Sequence, residues 1–176
     1  KVIVASGTIQ QNEPILFVDF IRSAGESEKL SNMVLLDSQG GFNGGAMVLG
    51  EVIRKLNMVV MVGRPVSRVV TRAEGLTSGT CASACVLVLA GGAKRFYVRG
   101  SRIGVHKSHM GPTVLDPTTR QQVNGKVDHD EVRNALLQYF RKLGIDPGLV
   151  SLIDKTSPDE MYWLNPQELA KFRLAR

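Results

Sequence analysis

The sequence predicts an α/β fold with a largely parallel sheet, built as one domain. Short apolar runs of strand length alternate with segments in which apolar residues recur at helical spacing. Such alternation is typical of β-α units, whose helical crossovers make neighbouring strands parallel. The chain has 176 residues, of which 43% are hydrophobic and 22% charged. Its size and composition therefore suit a single soluble domain with a substantial core.

The first part of the chain contains the clearest β-α alternation. The expected elements are a strand or hairpin at 2–9, a helix at 12–21, a strand at 33–36, a helix at 46–56 and a strand at 59–62. Asn12 is a good helix cap, and Pro14 suits a first helical turn. The runs Met33–Leu36 and Val59–Val62 are continuously apolar, as in strands buried on both faces.

The second part of the chain is more varied. The expected elements are an edge strand around Val66 and 69–70, an apolar helix at 86–90, strands at 96–98 and 103–105, a loop at 107–124, an amphipathic helix at 128–143 and a short helix from 146 to 153. Gly144 ends the amphipathic helix, because glycine is favoured just after a helix. The pattern contains no internal repeat and no interdomain linker.

Charge and glycine patterns exclude several functional classes. The formal net charge is +6, but the basic residues are scattered and carry no interleaved aromatic residues, so we expect no nucleic-acid partner. No run approaches the roughly 20 apolar residues that span a bilayer. The glycine-rich segment 37–45 follows a strand, but it matches neither the dinucleotide nor the P-loop pattern. We therefore expect no cofactor.

The most informative segment surrounds Ser83. This serine lies among small residues, after Gly79 and at the mouth of the apolar helix, while His106 ends the short apolar run 103–105. Small residues let the backbone approach a reacting carbonyl, and backbone N–H groups can bind a developing oxyanion. A serine there, with an imidazole on a neighbouring strand, predicts a hydrolase. The alternative is a small packing serine and an ordinary strand-end histidine.

Cys81 and Cys85 flank this serine, and the sequence leaves two alternatives for them. On a regular helix they would be too far apart for an unstrained disulfide, but a bridge is feasible if Cys81 precedes the helix. Such a bridge would brace the turn that holds Ser83, and it would favour an oxidising compartment. The alternative is a pair of reduced, buried side chains. We expect the disulfide.

The two cysteines, together with His106 and His109, also resemble a Cys₂His₂ zinc set. The intervals depart from the usual spacing, and a core of this size needs no structural metal. We therefore expect no metal. His109 is instead expected in the loop that follows the strand.

Five motifs in order resemble the proteolytic subunit of the Clp protease, within the wider Clp/crotonase superfamily. They are Leu35 to Gly41 followed by a helix, Gly79 to Ser83, Ala90 to Phe96, Ser101 to His106, and Leu164 to Ala170. The resemblance runs from Gly7 almost to the C-terminus. It implies a Clp/crotonase-type fold of stacked ββα units with a C-terminal helical extension. Residues 128–155 would correspond to a handle-like region that mediates assembly.

The resemblance implies a serine peptidase. Ser83 would be the nucleophile, His106 the general base, and the N–H groups of Gly41 and Ala84 the oxyanion hole. Asp159 is the expected third member, with Glu160 or Asp154 as substitutes.

An extended peptide or protein substrate would lie along Gly40, Phe42 and Asn43. A homo-oligomer is expected, and an unfoldase partner is not assumed.

The sequence also departs from the family pattern. Cys85 stands where the family has glycine, Gln39 stands where it has proline, and Lys107 follows the histidine. These departures, with the cysteines, favour a periplasmic or secreted relative, with a cytoplasmic one as the alternative. The alternative functions are a degenerate peptide-binding or assembly module and an acyl-CoA enzyme of the crotonase type.

Overall fold

The structure, a computed structural model, describes residues 1–27, 29–66, 75–108, 113–115, 122–124 and 128–176. The strands in these ranges are β1 (Ile3–Ile9), β2 (Met33–Gly41), β3 (Val59–Val62), β4 (Arg64–Pro65), β5 (Leu76–Thr77), β6 (Thr80–Ala82), β7 (Lys94–Tyr97), β8 (Arg102–Val105), β9 (Thr113–Leu115), β10 (Gln122–Asn124) and β11 (Tyr162–Trp163). The helices are α1 (Glu13–Ser27), α2 (Asn43–Lys55), α3 (Cys85–Gly91), α4 (His129–Lys142), α5 (Gly148–Lys155) and α6 (Pro166–Lys171). The α/β class predicted from the sequence is confirmed.

A seven-stranded sheet organises the molecule, with the order β11-β8-β6-β2-β3-β7 and β1 paired to β2. All of its pairings are parallel except that of β11 with β8. Residues 34–36 pair with both β1 and β3, so these two strands lie on opposite edges of β2. Because β1 pairs with β2 both before and after Ser38, β6 joins β2 on the other edge, beyond the end of β3. The expected parallel sheet is therefore present.

The core lies between this sheet and the helices α2 and α3. Every residue of α3 is buried, as its uniformly apolar sequence predicts. Helices α2 and α3 pack closely because Gly50 and Gly91 face each other: a Cβ on Gly91 would overlap the carbonyl oxygen of Gly50. This close contact fixes α3 against α2.

Two expected boundaries are wrong. β2 does not end at Leu36 but continues through the glycine-rich segment to Gly41, because β1 pairs with it as far as Ile9–Gly41. The expected loop at 107–124 contains the antiparallel pair β9 and β10. The expected edge strand falls partly outside the described residues, at 67–74; next to it, β4 pairs with β5.

The C-terminal region is helical, as expected. Asp128 caps α4 by accepting hydrogen bonds from the N–H groups of Asp130 and Glu131, at 3.0 and 3.1 Å. The helix buries Leu136 and Phe140 and leaves most of its other face exposed. No helix in the described ranges is long and apolar enough to cross a membrane.

Candidate active site

Ser83 lies in a sharp turn between β6 and α3. Its φ of 56° is in the left-handed region, which a serine adopts only when its surroundings hold it there. The backbone N–H of Ser83 donates a hydrogen bond of 2.9 Å to the carbonyl of Gly104 on β8. Ala84 follows with helical φ and ψ angles and leads into α3. This strand–turn–helix arrangement presents the side chain of Ser83 at the carboxyl end of β6.

His106 follows β8, the parallel neighbour of β6. The register pairs Ala82 with Gly104, so the next residues of the two strands emerge at the same edge of the sheet. The Nε2 atom of His106 lies 2.8 Å from the Oγ atom of Ser83. The structure therefore brings these two predicted site residues together.

The second ring nitrogen of His106 fixes its tautomer. Nδ1 lies 2.8 Å from the main-chain carbonyl oxygen of Pro158. A carbonyl can only accept a hydrogen bond, so Nδ1 carries the hydrogen in the neutral ring. Nε2 is then left with its lone pair toward the hydroxyl of Ser83. This is the tautomer that a general base needs.

The segment that carries Pro158 is attached to β8 on both sides of His106. β11 pairs antiparallel with β8 through Tyr162–Val105 and Trp163–Gly104. Gly104 has no side chain, and a Cβ there would lie 2.6 Å from a ring atom of Trp163. On the other side, the N–H of Lys107 donates to the carbonyl of Thr156 at 3.2 Å. These contacts hold the intervening carbonyl against the imidazole.

The structure does not bring the expected third residue, Asp159, into contact with the imidazole. Asp159 is exposed, and among the described residues the partner of Nδ1 is the Pro158 carbonyl rather than the Asp159 carboxylate. Of the two substitutes, Glu160 is also exposed, and Asp154 forms an ion pair of 2.8 Å with Arg133. The segment was identified correctly, but a main-chain group replaces the side chain. A carbonyl partner has no sequence signature, so no motif could have revealed it.

The end of β2 lies directly against the Ser83 turn. Gly40 has a φ of 103°, and a Cβ there would lie 2.7 Å from the carbonyl oxygen of Ala82 and 2.8 Å from the Cβ of Ser83. The buried Ser38 holds the backbone in this path, since its Oγ donates to the Gly7 carbonyl at 2.6 Å and accepts from the N–H of Gly40 at 3.1 Å. Only glycine fits at position 40.

The backbones at the end of β2 and at the start of α3 approach each other beside Ser83. In the pairing of Ile9 with Gly41, the carbonyl of Ile9 accepts the N–H of the next residue, Phe42, at 2.9 Å. Gly40 and Gly41 both have positive φ angles, and a Cβ on Gly41 would overlap the carbonyl oxygen of Ile9. The position for a Cβ on Gly40 is also 3.1 Å from the nitrogen of Ala84, which shows how closely the two backbones approach.

A small cavity opens beside the Ser83–His106 pair. Its volume is about 30 Å³, which is room for about two water molecules. The polar lining includes Asn43, the first residue of α2, in addition to Ser83 and His106. The apolar lining comes from α3, β8, α4 and α5: Val86, Leu87, Val105, Leu136, Phe140 and Ile153. The cavity can hold a small apolar group next to the hydroxyl.

The predicted disulfide is present. Cys81 lies in β6, Cys85 opens α3, and their Cα atoms are 5.2 Å apart across a formed S–S bond. Because both sulfurs are used in this bond, they are not available as zinc ligands, and the alternative zinc set is not formed. His109, its fourth expected member, lies outside the described residues. Within the described ranges, no group of three or more His, Cys, Asp or Glu side chains is placed to hold a metal ion.

One anchoring contact was not anticipated. The carboxylate of Asp37, in β2, accepts a hydrogen bond of 2.7 Å from the N–H of Thr80 at the start of β6. The sequence carries no signal for this contact, because an aspartate after an apolar run is equally typical of a turn. The contact fixes the position of β6 along β2, and therefore the position of Ser83 at the end of β6.

Comparison with solved structures finds many similar chains, of which three are described here. A serine-to-alanine variant of the 1510-N membrane-bound stomatin-specific protease is 17% identical with a TM-score of 0.61, over 99% of this chain and 76% of that one. A lysine-to-alanine variant of the same protease, in complex with a substrate peptide, has the same identity and TM-score over 99% and 72%. An asparagine-to-aspartate variant of ClpP1 from Listeria monocytogenes is 16% identical with a TM-score of 0.60, over 99% and 88%.

Comparisons of the sequence itself with protein-family profiles and with curated proteins found no match. The likeness is therefore one of fold. Two of the three chains are variants of a protease by their descriptions, and all three match nearly all of the present chain. The predicted Clp-type α/β fold is confirmed, and the chain has the fold of these proteases.

Proposed function

We propose that this protein is a serine peptidase that cleaves peptide bonds through an acyl-enzyme. The observation that carries the proposal is the 2.8 Å contact between Oγ of Ser83 and Nε2 of His106, with Nδ1 of the same ring bonded to a carbonyl. A nucleophile in hydrogen-bond reach of a base, with the base oriented by a third group, is the arrangement that serine hydrolases use. The protease fold supports the same conclusion.

The first half of the reaction forms the acyl-enzyme. Oγ of Ser83 attacks the carbonyl carbon of the substrate while its proton moves to Nε2 of His106. The N–H groups of Gly41 and Ala84 bind the oxyanion of the tetrahedral intermediate. His106 then gives the proton to the leaving amine, and the C–N bond breaks. In the second half, His106 takes a proton from a water molecule, whose oxygen attacks the ester carbon. The C–O bond to Ser83 then breaks, and His106 returns the proton to Oγ.

Pro158 is the orienting group in this scheme. Its carbonyl holds the ring in the reactive tautomer, but a neutral carbonyl stabilises the imidazolium less than a carboxylate would. We therefore expect a slower nucleophile than in a site completed by an aspartate. The next residue, Asp159, is exposed and is not assigned a role in the reaction.

The substrate that fits this site is an extended peptide. Gly40, Phe42 and Asn43 border the cleft at the end of β2, where the backbone can pair with an added strand. The side chain before the cleaved bond would enter the apolar cavity of about 30 Å³, and this volume favours a small aliphatic group. One of the proteases with this fold was solved with a substrate peptide bound, which supports the same ligand class.

Two properties of the whole protein belong to the proposal. The Cys81–Cys85 disulfide favours function in an oxidising compartment, either periplasmic or secreted. The handle-like region of α4 and α5 is proposed to mediate self-association, since most side chains on one face of α4 are exposed. Neither property affects the assignment of the reacting residues.

Cleavage of an unfolded protein tests the function. Wild-type protein should release peptides from reduced, alkylated casein, and Ser83→Ala should lower this rate by at least about 10³-fold. Ser151→Ala is the matched control, because Ser151 is an exposed serine of α5 away from the cavity lining. Equal casein cleavage by wild type and Ser83→Ala would place the peptidase activity at another site. Peptide binding without cleavage in both proteins would favour the degenerate module.

A further inference from the structure

The disulfide closes a short loop that contains the proposed nucleophile. Only Ala82, Ser83 and Ala84 lie between its two cysteines. Cys81 is fixed in the sheet, since it pairs with Ser38 of β2 and with Ile103 of β8. Cys85 is the first residue of α3. The bond therefore joins the sheet to the helix directly across the turn that presents Ser83.

The size of the enclosed loop argues against a purely global role. A disulfide stabilises a fold mainly by restricting the unfolded chain, and the effect grows with the length of the loop that it closes. This loop has three residues between the cysteines, so its contribution to the free energy of unfolding lies at the low end of the usual range. The effect of the bond is expected to be local.

The backbone conformation at Ser83 is one that needs a restraint. Ser83 has a φ of 56°, a conformation that an L-residue leaves when it is not restrained. From the β8 side, the hydrogen bond from the Ser83 N–H to Gly104 restrains the turn. From the helix side, the disulfide supplies the second restraint, because it fixes the start of α3 relative to β6. Without it, the turn can relax while the sheet and the core remain folded.

We infer that the Cys81–Cys85 disulfide is a redox-dependent positioning element for Ser83. The inference rests on the proposed peptidase function. In the oxidised protein the bond holds Oγ of Ser83 toward Nε2 of His106. When a dithiol transfers two electrons and two protons to the bond, two thiols form, the dithiol becomes a cyclic disulfide, and the turn loses its helix-side restraint.

Burial sets the conditions for this switch. Both cysteines are 0% exposed, so a reductant reaches the sulfur atoms only when the turn opens locally. Reduction of the folded protein is therefore expected to be slow. The oxidised, active form would persist in an oxidising compartment, and a chain kept reduced would remain poorly active.

The test compares three forms of the full chain: oxidised, reduced with dithiothreitol, and the double variant Cys81→Ala/Cys85→Ala. The readouts are the second-order rate of fluorophosphonate attachment to Ser83, and kcat and KM for casein cleavage. Because a small misplacement of reacting groups can lower a rate by about 10²-fold, we expect labelling and kcat to fall between about 10- and 100-fold in the reduced and variant forms. KM should change little, and reoxidation with oxidised glutathione should restore only the reduced wild type.

Ile3→Val is the stability control, since Ile3 is a buried core residue at the far end of β1 from Ile9. It weakens the core without touching the turn, so its labelling rate should equal that of the oxidised wild type. If the double variant does not fold, reduction of the wild type is followed in time by labelling and by far-ultraviolet circular dichroism, which reports the helices and strands of the whole fold. Labelling that falls before the circular dichroism changes supports the inference, and a simultaneous change overturns it.

Two results separate this inference from the function on which it rests. Equal labelling of Ser83 in the oxidised, reduced and variant forms would overturn the positioning role and leave the peptidase proposal intact. No labelling of Ser83 in the oxidised form would overturn the peptidase proposal, and the positioning role with it.

Discussion

Ser83 and the residues around it depend on backbone geometry more than on side-chain chemistry. Gly40 passes so close to the Ser83 turn that it has no room for a Cβ. The Pro158 carbonyl takes the position next to the imidazole that a carboxylate was expected to take. The serine, the histidine and the two cysteines could be predicted because their side chains and spacing carry the signal. Pro158 could not, since any residue supplies the same carbonyl.

Gly40→Ala tests the contact between β2 and the Ser83 turn. The added Cβ would lie 2.7 Å from the Ala82 carbonyl oxygen, in a residue whose φ is 103°. Backbone strain of this kind costs about 1–3 kcal/mol, and either the turn or β2 must move. We therefore expect a lower melting temperature and a lower rate of Ser83 labelling.

Gly25→Ala is the matched control for this substitution. A Cβ at Gly25, on α1, meets nothing within 4 Å, and alanine favours helix more than glycine by about 1 kcal/mol. It should leave labelling unchanged and should not lower the melting temperature. If Gly40→Ala behaves like the control, the close approach of β2 to the turn is wrong.

At the scale of elements, the site is built where strands end. Gly41, Ser83 and His106 lie at the carboxyl ends of β2, β6 and β8, three parallel strands that are neighbours in the sheet. In parallel α/β sheets, this edge is where ligands bind. Most elements were predictable from their apolar periodicity. β2 was predicted too short, because its last residues are polar or glycine and pair through the backbone alone.

The packing of α2 on α3 gives the prediction at this scale. A Cβ on Gly91 would overlap the backbone of Gly50, so Gly91→Ala must push the two helices apart. Overpacking of this kind costs about 1–3 kcal/mol, which chemical denaturation should detect as a lower free energy of unfolding. Gly44→Ala is the control, because Gly44 lies in the first turn of α2 with nothing within 4 Å of its Cβ position. Equal stability of the two variants would contradict the close packing.

At the scale of the whole molecule, distant segments are joined around one core. The order β11-β8-β6-β2-β3-β7 places strands side by side that are far apart in the chain. A single sequence does not contain this order, because periodicity identifies strands but not their neighbours. The family resemblance predicts the type of fold, and the structure supplies the strand order. Tyr139 shows the same long-range joining, since its hydroxyl donates to the Leu87 carbonyl at 2.8 Å and so ties α4 to α3.

Tyr139 predicts how the stability of the molecule depends on pH. Burial first, and then the nearby Glu51 carboxylate, raises the pKa of Tyr139 well above its ordinary value. Above about pH 10, the tyrosine ionises in the unfolded chain but stays protonated in the folded one. The unfolded state then binds fewer protons, so the free energy of unfolding falls as pH rises, by up to about 1.4 kcal/mol per pH unit. Below that pH, the contribution is fully present.

Tyr139→Phe should remove the part of the loss of stability at alkaline pH that comes from this ionisation. Urea denaturation at pH 8 should show a variant that is less stable by about 1 kcal/mol, because the hydrogen bond to Leu87 is lost. Between about pH 9.5 and 11, a range around the ordinary tyrosine pKa, the difference in free energy of unfolding between the wild type and the variant should become smaller. Tyr97→Phe is the control and should keep the wild-type slope, since it leaves Tyr139 in place. A constant gap at all pH values would show that Tyr139 does not resist ionisation.

The central claim is that Ser83 is a nucleophile activated by His106. The most direct measurement is site-resolved mass spectrometry of the oxidised protein after reaction with a fluorophosphonate, with the rate compared in wild type and His106→Ala. We predict that the phosphonyl group is attached to Ser83 alone. We also predict that His106→Ala slows the attachment by about 10²–10⁴-fold, the usual contribution of a general base. Attachment to another residue, or an unchanged rate in His106→Ala, would contradict the claim.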